Sequence, residues 1–357
     1  MEHDLPNRFG KEDDREFMAT IRDVAKACGV SPATVSGVLN NTPDAAGPET
    51  RERVLEMIEQ MNYSPSAVAR GLSHRRMNTI GVVMEYGGWG TLITDQHLGP
   101  IFDGIVTRNS GLGQKTLLYP EPWPKAVENI PSFCDGFCDG LLLVVPMVTD
   151  DFFARLIRRG TPFVIIGDSR TEANFSVVDL DNIDAGRQIT SYLIGLGHKR
   201  ITMLRGHDTH RSPSLRAQGY REALTSNGLE YDPSLDLHGE YGYGSGYDST
   251  VALLDMAPER RPTALFCGDD RIAFGALDAL KDRGVQVPEE MSVIGINDSE
   301  EGSARPLPLS SFQQPGLGIG ESSVDILIAQ IAGDEPPGRK VALPGKLTIR
   351  GTTGPAP

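Results

Sequence analysis

From Thr79 onward the chain alternates short apolar runs with amphipathic stretches. That alternation constrains the fold more than any other feature. Candidate strands cover residues 79–84, 115–119, 140–145, 163–166, 176–178, 200–204, 264–267 and 292–296. Helical patterns lie between them, among them residues 151–159, 185–196, 215–227 and 271–283. Strands that are apolar on both faces and separated by helices imply parallel sheets covered on both sides. About 280 residues is more than one such sheet organises, so two Rossmann-like subdomains are expected. In such folds ligands sit at the carboxyl ends of the strands.

The first 78 residues follow another rule. Residues 1–18 are charged, carry few large apolar side chains and show no period, so a disordered tail is expected. Thr20 with Asp23 three residues on has the form of a capping box, with Asp in place of Glu. Ile21, Val24 and Ala25 then share one face of a short helix, which Gly29 ends. Ser31 suits the cap of a second helix and Pro32 its first position. Val35, Val38 and Leu39 form its apolar stripe, and Asn40-Asn41-Thr42-Pro43 breaks it. Pro48-Glu49 opens a third helix with Val54, Ile58 and Met61 at core spacing. This is the arithmetic of a helix-turn-helix, although spacing alone suits a generic three-helix bundle equally well.

Charge and motifs exclude several function classes. A net charge of −14 argues against a protein coated in nucleic acid, but allows a small DNA reader on an acidic body. Residues 19–76 carry +1 and the rest −15, an asymmetry in the right direction. No apolar run approaches the ~20 residues of a membrane helix, and the N-terminus lacks the apolar region of a secretory signal. A cytoplasmic location is expected. Cys28, Cys134, Cys138 and Cys267 form no CxxC pair and read as reduced. Cys134 and Cys138 would make half a zinc site, but no second pair accompanies them, so no metal is expected. Gly242-Tyr-Gly-Ser-Gly246 lacks both the GxGxxG spacing and a following lysine, and reads as a loop entering a helix. With no GxSxG or HExxH either, neither an enzyme nor a cofactor is expected.

Particular residues then separate the helix-turn-helix from the generic bundle. The run ATIRDVAKACGVSPATVSGVLN from Ala19 to Asn40, Thr50-Arg-Glu-Arg-Val54, and Tyr63-Ser-Pro-Ser-Ala-Val-Ala-Arg-Gly-Leu72 closely resemble the N-terminus of the lac/purine/galactose repressor (LacI/GalR) family. Residues 134–146, 196–201, 266–277 and 309–315 resemble the periplasmic-binding-protein-like core of the same repressors. The resemblance implies an α/β chain: a helix-turn-helix over 19–63, a hinge helix and linker over 64–77, and an effector-binding and dimerisation domain over 78–357. That domain would comprise two Rossmann-like subdomains of the periplasmic-binding-protein-like type I fold. The first would hold about 78–180 and 311–340, the second about 181–310 and 341–357.

The resemblance also assigns roles. Residues 32–39 would be the recognition helix, with Pro32, Ala33 and Gly37 facing base edges in the major groove and Ser31, Thr34 and Ser36 near phosphate. Thr20, Asn40 and Tyr63 complete the DNA-facing set of this module. The chain departs from the family here, since position 37 often carries Arg or His and position 33 Gln or Thr. Methyl contacts and DNA shape would supply more of the specificity. The segment 64–72 would be the hinge helix. Ser66, Ala69 and Arg70 would lie on DNA, the small Ala67, Val68 and Ala69 would allow close dimer packing, and Leu72 would wedge into the minor groove. Nine residues make a poor autonomous helix, so the segment reads as disordered when free and helical on DNA. His74-Arg75-Arg76 would add phosphate contacts.

For the effector, Arg216 aligns with the arginine that grips ligand oxygens, which suits its planar fork of donors. Ser212 and His210 align with positions lining the same site. Asp269 stands where the family often has Asn, and Asn297 where it often has Asp. Turn chemistry at strand ends explains those two equally well. Asp168 and, for stacking on a sugar ring, Trp89 are further candidates. The family default is a sugar; purines, nucleosides and phosphorylated sugars are alternatives. The chain ends without a leucine-heptad extension, so a homodimer is expected. The expected function is an operator-binding repressor without membrane association, controlled by a small molecule. An extracytoplasmic solute-binding protein or a sugar-transforming α/β enzyme would share the body. The first calls for a signal peptide and the second for a catalytic constellation.

Overall fold

The computed structural model describes residues 19–64, 76–85, 95–120, 122–170, 172, 174–207 and 209–357. Residues up to Met77 and residues from Asn78 form separate compact units.

In the first unit, helices α1 (Ile21–Cys28), α2 (Pro32–Leu39) and α3 (Pro48–Gln60) close on one another. The Thr20–Asp23 capping box forms in both directions, and Gly29 takes the left-handed conformation with φ 64°. The Ser31 side chain accepts from the Thr34 amide. Val24, Ala25, Cys28, Val35, Val38 and Val54 are the buried core, with Ile58, Met61 and Tyr63 packed around it. Arg51 ties α3 to the turn after α2, donating to Asn41 Oδ1 at 2.9 Å and to the Thr42 carbonyl at 3.4 Å.

The second unit holds two six-stranded sheets. Its strands are β1 (Thr79–Met84), β2 (Lys115–Tyr119), β3 (Gly140–Val144), β4 (Phe163–Ile166), β5 (Ser176–Leu180), β6 (Ile201–Leu204), β7 (Asp236–Leu237), β8 (Ala264–Cys267), β9 (Ser292–Ile296), β10 (Ser310–Gln313), β11 (Lys340–Leu343) and β12 (Lys346–Thr348). The first sheet runs β11-β5-β4-β3-β1-β2 and the second β12-β10-β9-β8-β6-β7. Every pairing is parallel except β10 with β12. Central strands such as β3, β4, β8 and β9 are buried on both faces, while the edges β2, β11 and β12 are half exposed. Burial on both faces accounts for the continuous apolar runs.

The crossings between sheets fall a few residues later than expected. β10 pairs with β9 and β12, so residues 311–313 belong to the second sheet. β11 pairs with β5, so residues 341–343 belong to the first. The sequence Ser-Ser-Phe-Gln hid this, because β10 buries serines rather than aliphatic side chains. Ser310 and Ser311 are satisfied by Thr352, Thr353 and Asp270. Strand and helix ends elsewhere shift by one to four residues. The largest shift is in helix Arg211–Ser226, which begins four residues before its apolar period does.

Three helix pairs pack at glycines. A Cβ on Gly104 or Gly320 would collide with the partner backbone where Leu98–Gly111 meets Gly316–Ala332. The same holds for Gly186 and Gly219 between Asn182–Gly195 and Arg211–Ser226, and for Gly246 and Gly275 between Tyr243–Leu254 and Asp270–Asp282. Each pair therefore packs backbone against backbone. Cys28, Cys138 and Cys267 are buried free thiols, and Cys134 is partly exposed. No helix among the described residues is long and apolar enough to cross a membrane.

Candidate DNA-reading module and effector cleft

In the first unit, α2 offers an outward face. Ser31, Pro32, Ala33 and Asn40 are exposed, Thr34, Ser36 and Gly37 partly so, and Val35 and Val38 point inward. Several hydroxyls already have work. Thr20 donates to Asp23 Oδ2 at 2.6 Å, and these bonds hold the Asp23 carboxyl below its usual value. Ser31 and Thr34 share one hydrogen bond at 2.9 Å, which leaves one of their two hydroxyl protons for an outside acceptor. Asn40 donates to Ser36 Oγ at 3.4 Å. Gly37 differs from expectation. A Cβ there would lie 2.5 Å from the Ala45 Cβ, so the position faces the loop after α2 more than open solvent. This packing explains why a long side chain is missing from it.

In the second unit a cavity of about 140 Å³ opens at the carboxyl ends of the strands. The first sheet contributes Met84, Val144, Val145, Gly167 and Asp179, the second Gly268, Asp269, Asn297 and Gln314. Arg216 is 4% exposed and rests on the opposite wall. Its guanidinium donates to the Gly268 carbonyl at 3.1 Å, the Ser212 carbonyl at 3.3 Å and Tyr241 Oη at 3.3 Å. Tyr241 reaches this place because Gly206 has no Cβ to obstruct its ring. Asp179 accepts from Ser169 Oγ at 2.7 Å, Asn182 Nδ2 at 3.1 Å and the Leu180 amide at 2.7 Å. Burial nevertheless pushes its carboxyl up to about 6. Burial also raises Asp269, and it lowers His210 to about 4 with help from His207. His97 is lowered by burial against the pull of Asp95.

Two lining groups are unsatisfied. His97 Nδ1 and Trp123 Nε1 are buried without a hydrogen-bond partner among the described residues. Val145 and Asn297, both on the cavity wall, hold positive φ values of 47° and 115°. Non-glycine residues pay strain for such angles, which concentrate at functional sites. Gln314 fixes Asn297 by donating to its Oδ1 at 2.6 Å.

Comparison with known proteins gives this architecture its relatives. Residues 20–66 match the bacterial regulatory proteins of the lacI family, and residues 190–353 match a periplasmic binding protein-like domain. The HTH-type transcriptional repressor PurR of Haemophilus influenzae is 34% identical over 316 residues, 88% of this chain and 91% of that protein. The HTH-type transcriptional regulator CelR of Thermobifida fusca is 32% identical over 340 residues, covering 94% and 99%. The chain belongs to the LacI family. Among solved structures, a lac repressor dimer bound to operator and the anti-inducer ONPF aligns with a TM-score of 0.81 at 26% identity, over 94% of this chain and 99% of that one. A CelR–cellobiose complex aligns with a TM-score of 0.72 at 31% identity, over the same shares. The relatives are named as transcriptional regulators and repressors, which speaks against the solute-binding and enzyme alternatives.

For a LacI-family chain the expected site residues divide clearly. The structure brings Arg216, Ser212, His210, Asp269 and Asn297 to one cavity. Asp269 also caps helix Asp270–Asp282 by accepting from the Ile272 amide at 2.7 Å, so the turn reading holds for a residue that also lines the cavity. Asp168 is not on the cavity wall. Arg170 draws it away with a 2.7 Å bond, and Asp179 from the neighbouring strand stands at the cavity instead. Trp89 lies outside the described residues, as do Ser66, Ala69, Arg70, Leu72 and the rest of 65–75. Trp123 and Tyr241 are aromatic residues that line the described cavity. Sequence reasoning missed Asp179, Asn182, Tyr241, His97 and Trp123. Asp179 carried a signal, as an acidic residue ending an apolar run in a parallel-sheet pattern; the others carried none.

Proposed function

We propose that this protein is a repressor whose operator affinity is set by an uncharged, polyhydroxylated effector, a saccharide, bound in the cleft of the second unit. DNA-binding transcriptional regulation is the family's activity; the effector class and the residue roles are our reading. The observation that carries it is the cavity wall. Four carboxyl side chains, Glu85, Asp95, Asp179 and Asp269, face two guanidinium groups, Arg216 and Arg271. Such a wall repels phosphates and carboxylates and offers acceptors to hydroxyls. The volume supports a match in size, since about 140 Å³ at 10–15 Å³ per water position holds about a dozen atoms, roughly one pyranose ring. Trp123 supplies an apolar ring and an unsatisfied N–H, and His97 an unsatisfied nitrogen.

On the DNA side, Pro32 and Ala33 would meet base edges, with Gly37 packed against the Ala45 loop beside them, and the spare hydroxyl proton of the Ser31–Thr34 pair and the α2 N-terminus toward phosphate. Thr20, Ser36, Asn40 and Tyr63 would support that docking, and the segment with Ser66, Ala69, Arg70 and Leu72 would order on DNA between the two copies of a homodimer. The test is calorimetric titration of the full chain with a panel of saccharides and their phosphate esters, followed by operator binding with the best ligand. A neutral saccharide should bind at least tenfold more tightly than its phosphate ester and change operator affinity. Preference for the phosphorylated form would refute the effector class.

A further inference from the structure

Beside the cavity, three charged side chains from the two subdomains meet without closing. The loop after β4 presents Asp168 and Glu172, and helix Arg211–Ser226 presents its first residue, Arg211. Arg211 Nε lies 3.5 Å from Asp168 Oδ1, and its Nη2 lies 3.7 Å from Glu172 Oε1. These separations are charge contacts, longer than the 2.7–2.9 Å typical of a guanidinium–carboxylate hydrogen bond. Asp168 Oδ1 is buried yet accepts no hydrogen bond among the described residues, and the same is true of Glu172 Oε2. Both acidic partners therefore hold an acceptor in reserve next to Arg211.

The two jaws are stiff. Asp168 is anchored through its other oxygen by Arg170, which also bonds Asp150 Oδ1 at 2.8 Å and the Val148 carbonyl at 3.1 Å, with its guanidinium 4.6 Å from the Phe153 ring centre. Lys340 pins the same loop, donating to the Glu172 carbonyl at 2.9 Å and the Phe175 carbonyl at 2.6 Å. On the other side Arg211 belongs to the helix that carries Ser212 and Arg216 into the cavity. Glycine contacts lock that helix to Asn182–Gly195. A ligand drawing Ser212 and Arg216 toward the first sheet would carry Arg211 with them. A shift of under about 1 Å brings its fork into bonding range.

We propose that Arg211 is a latch between the subdomains, poised in this structure to close on Asp168 and Glu172 and to hold the cleft shut. It is a positioning residue that acts through the closure and need not touch the ligand. A closed state held this way binds effector more tightly, because less of the binding energy goes into reaching it. That consequence rests on the effector reading above, but the latch itself does not, and its test uses no ligand.

A helix N-terminus is electropositive, so an arginine at its first position is unfavourable unless something else holds it. The first turn of this helix has no acidic residue. Arg211→Gln should therefore protect the helix end if Arg211 merely decorates it, and loosen the helix end if the latch operates. The measurement is hydrogen exchange by mass spectrometry on the full-length protein. It reads the amides of residues 215–218, which bond back to the first turn. We expect several-fold faster exchange there in Arg211→Gln, with the cores of both sheets unchanged. Glu172→Gln, a change to a partly exposed side chain of the other subdomain, should produce the same increase. Raising salt from about 0.05 to 0.5 M should move the wild type toward the variants, because partly exposed pairs are screened. Slower or unchanged exchange at 215–218 in Arg211→Gln, or no response there to Glu172→Gln, would overturn the latch. Failure of every saccharide to bind would instead overturn the effector reading and leave this result standing.

Discussion

The two units of this chain are organised on different length scales. The first unit rests on contacts among neighbours: its caps join residues three apart, and its buried core of six residues spans only Val24 to Val54. The cavity of the second unit is assembled from residues as distant as Met84 and Gln314, brought together by two sheets that exchange segments near 314 and 344. A local module can be altered or removed without disturbing the rest. A convergent site depends on the whole body being folded.

The sharpest way to break this contrast is deletion. Removing residues 1–76 should abolish specific operator binding and leave a folded body that binds effector with unchanged affinity, as calorimetry and DNA titration would show. Retained operator preference would contradict the division outright.

Next comes Arg216→Ala. It removes the guanidinium that donates to the Gly268 carbonyl and Tyr241 Oη, and leaves the Gly268 carbonyl without that donor in a buried place. Each orphaned buried group costs about 1–3 kcal/mol. Effector affinity should fall roughly 10- to 100-fold or more, while operator affinity without effector stays near wild type.

A smaller effect comes from acid. Burial raises Asp179 to about 6, so its carboxylate is the main form at neutral pH and takes a proton as pH falls through about 6. Protonation removes an acceptor, and effector affinity should weaken by up to about fourfold between pH 7.5 and 5.5. Stability moves the opposite way. An unfolded aspartate keeps the value of 3.8, so the native state binds the extra proton between about 4 and 6. The contribution of Asp179 to stability therefore rises as pH falls through 6, and buried Asp270, also near 6, adds in the same direction. His210, held near 4, stays mainly neutral between pH 7.5 and 5.5. Asp179→Asn should flatten the affinity profile; an unchanged profile would remove Asp179 from the effector site.

The mildest test returns to the first unit. Gly37→Ala gains up to about 1 kcal/mol of helix propensity but forces the Ala45 loop aside. Crowding of this kind costs about 1–3 kcal/mol. We expect a slightly lower melting temperature for the first unit by calorimetry, and operator affinity reduced a few-fold. A stabilised protein would mean that the loop yields freely and that position 37 faces DNA after all.

Residue spacing alone established the three short helices, their caps at Thr20 and Ser31 and the stop at Gly29, because each depends on residues within one turn. It also established the alternating parallel α/β body, since strands buried on both faces must be apolar throughout. Family motifs brought Arg216, Ser212, His210, Asp269 and Asn297 into one site. The sequence could not say which oxygen each of these residues bonds, that Asp168 would turn toward Arg170 while Asp179 took its place, or that β10 would join the second sheet as a strand of buried serines. Apart from the local Asp168–Arg170 bond, those outcomes follow from contacts between residues tens to hundreds of positions apart. Such contacts leave no period and no spacing in the chain, and only the closed tertiary structure selects among them.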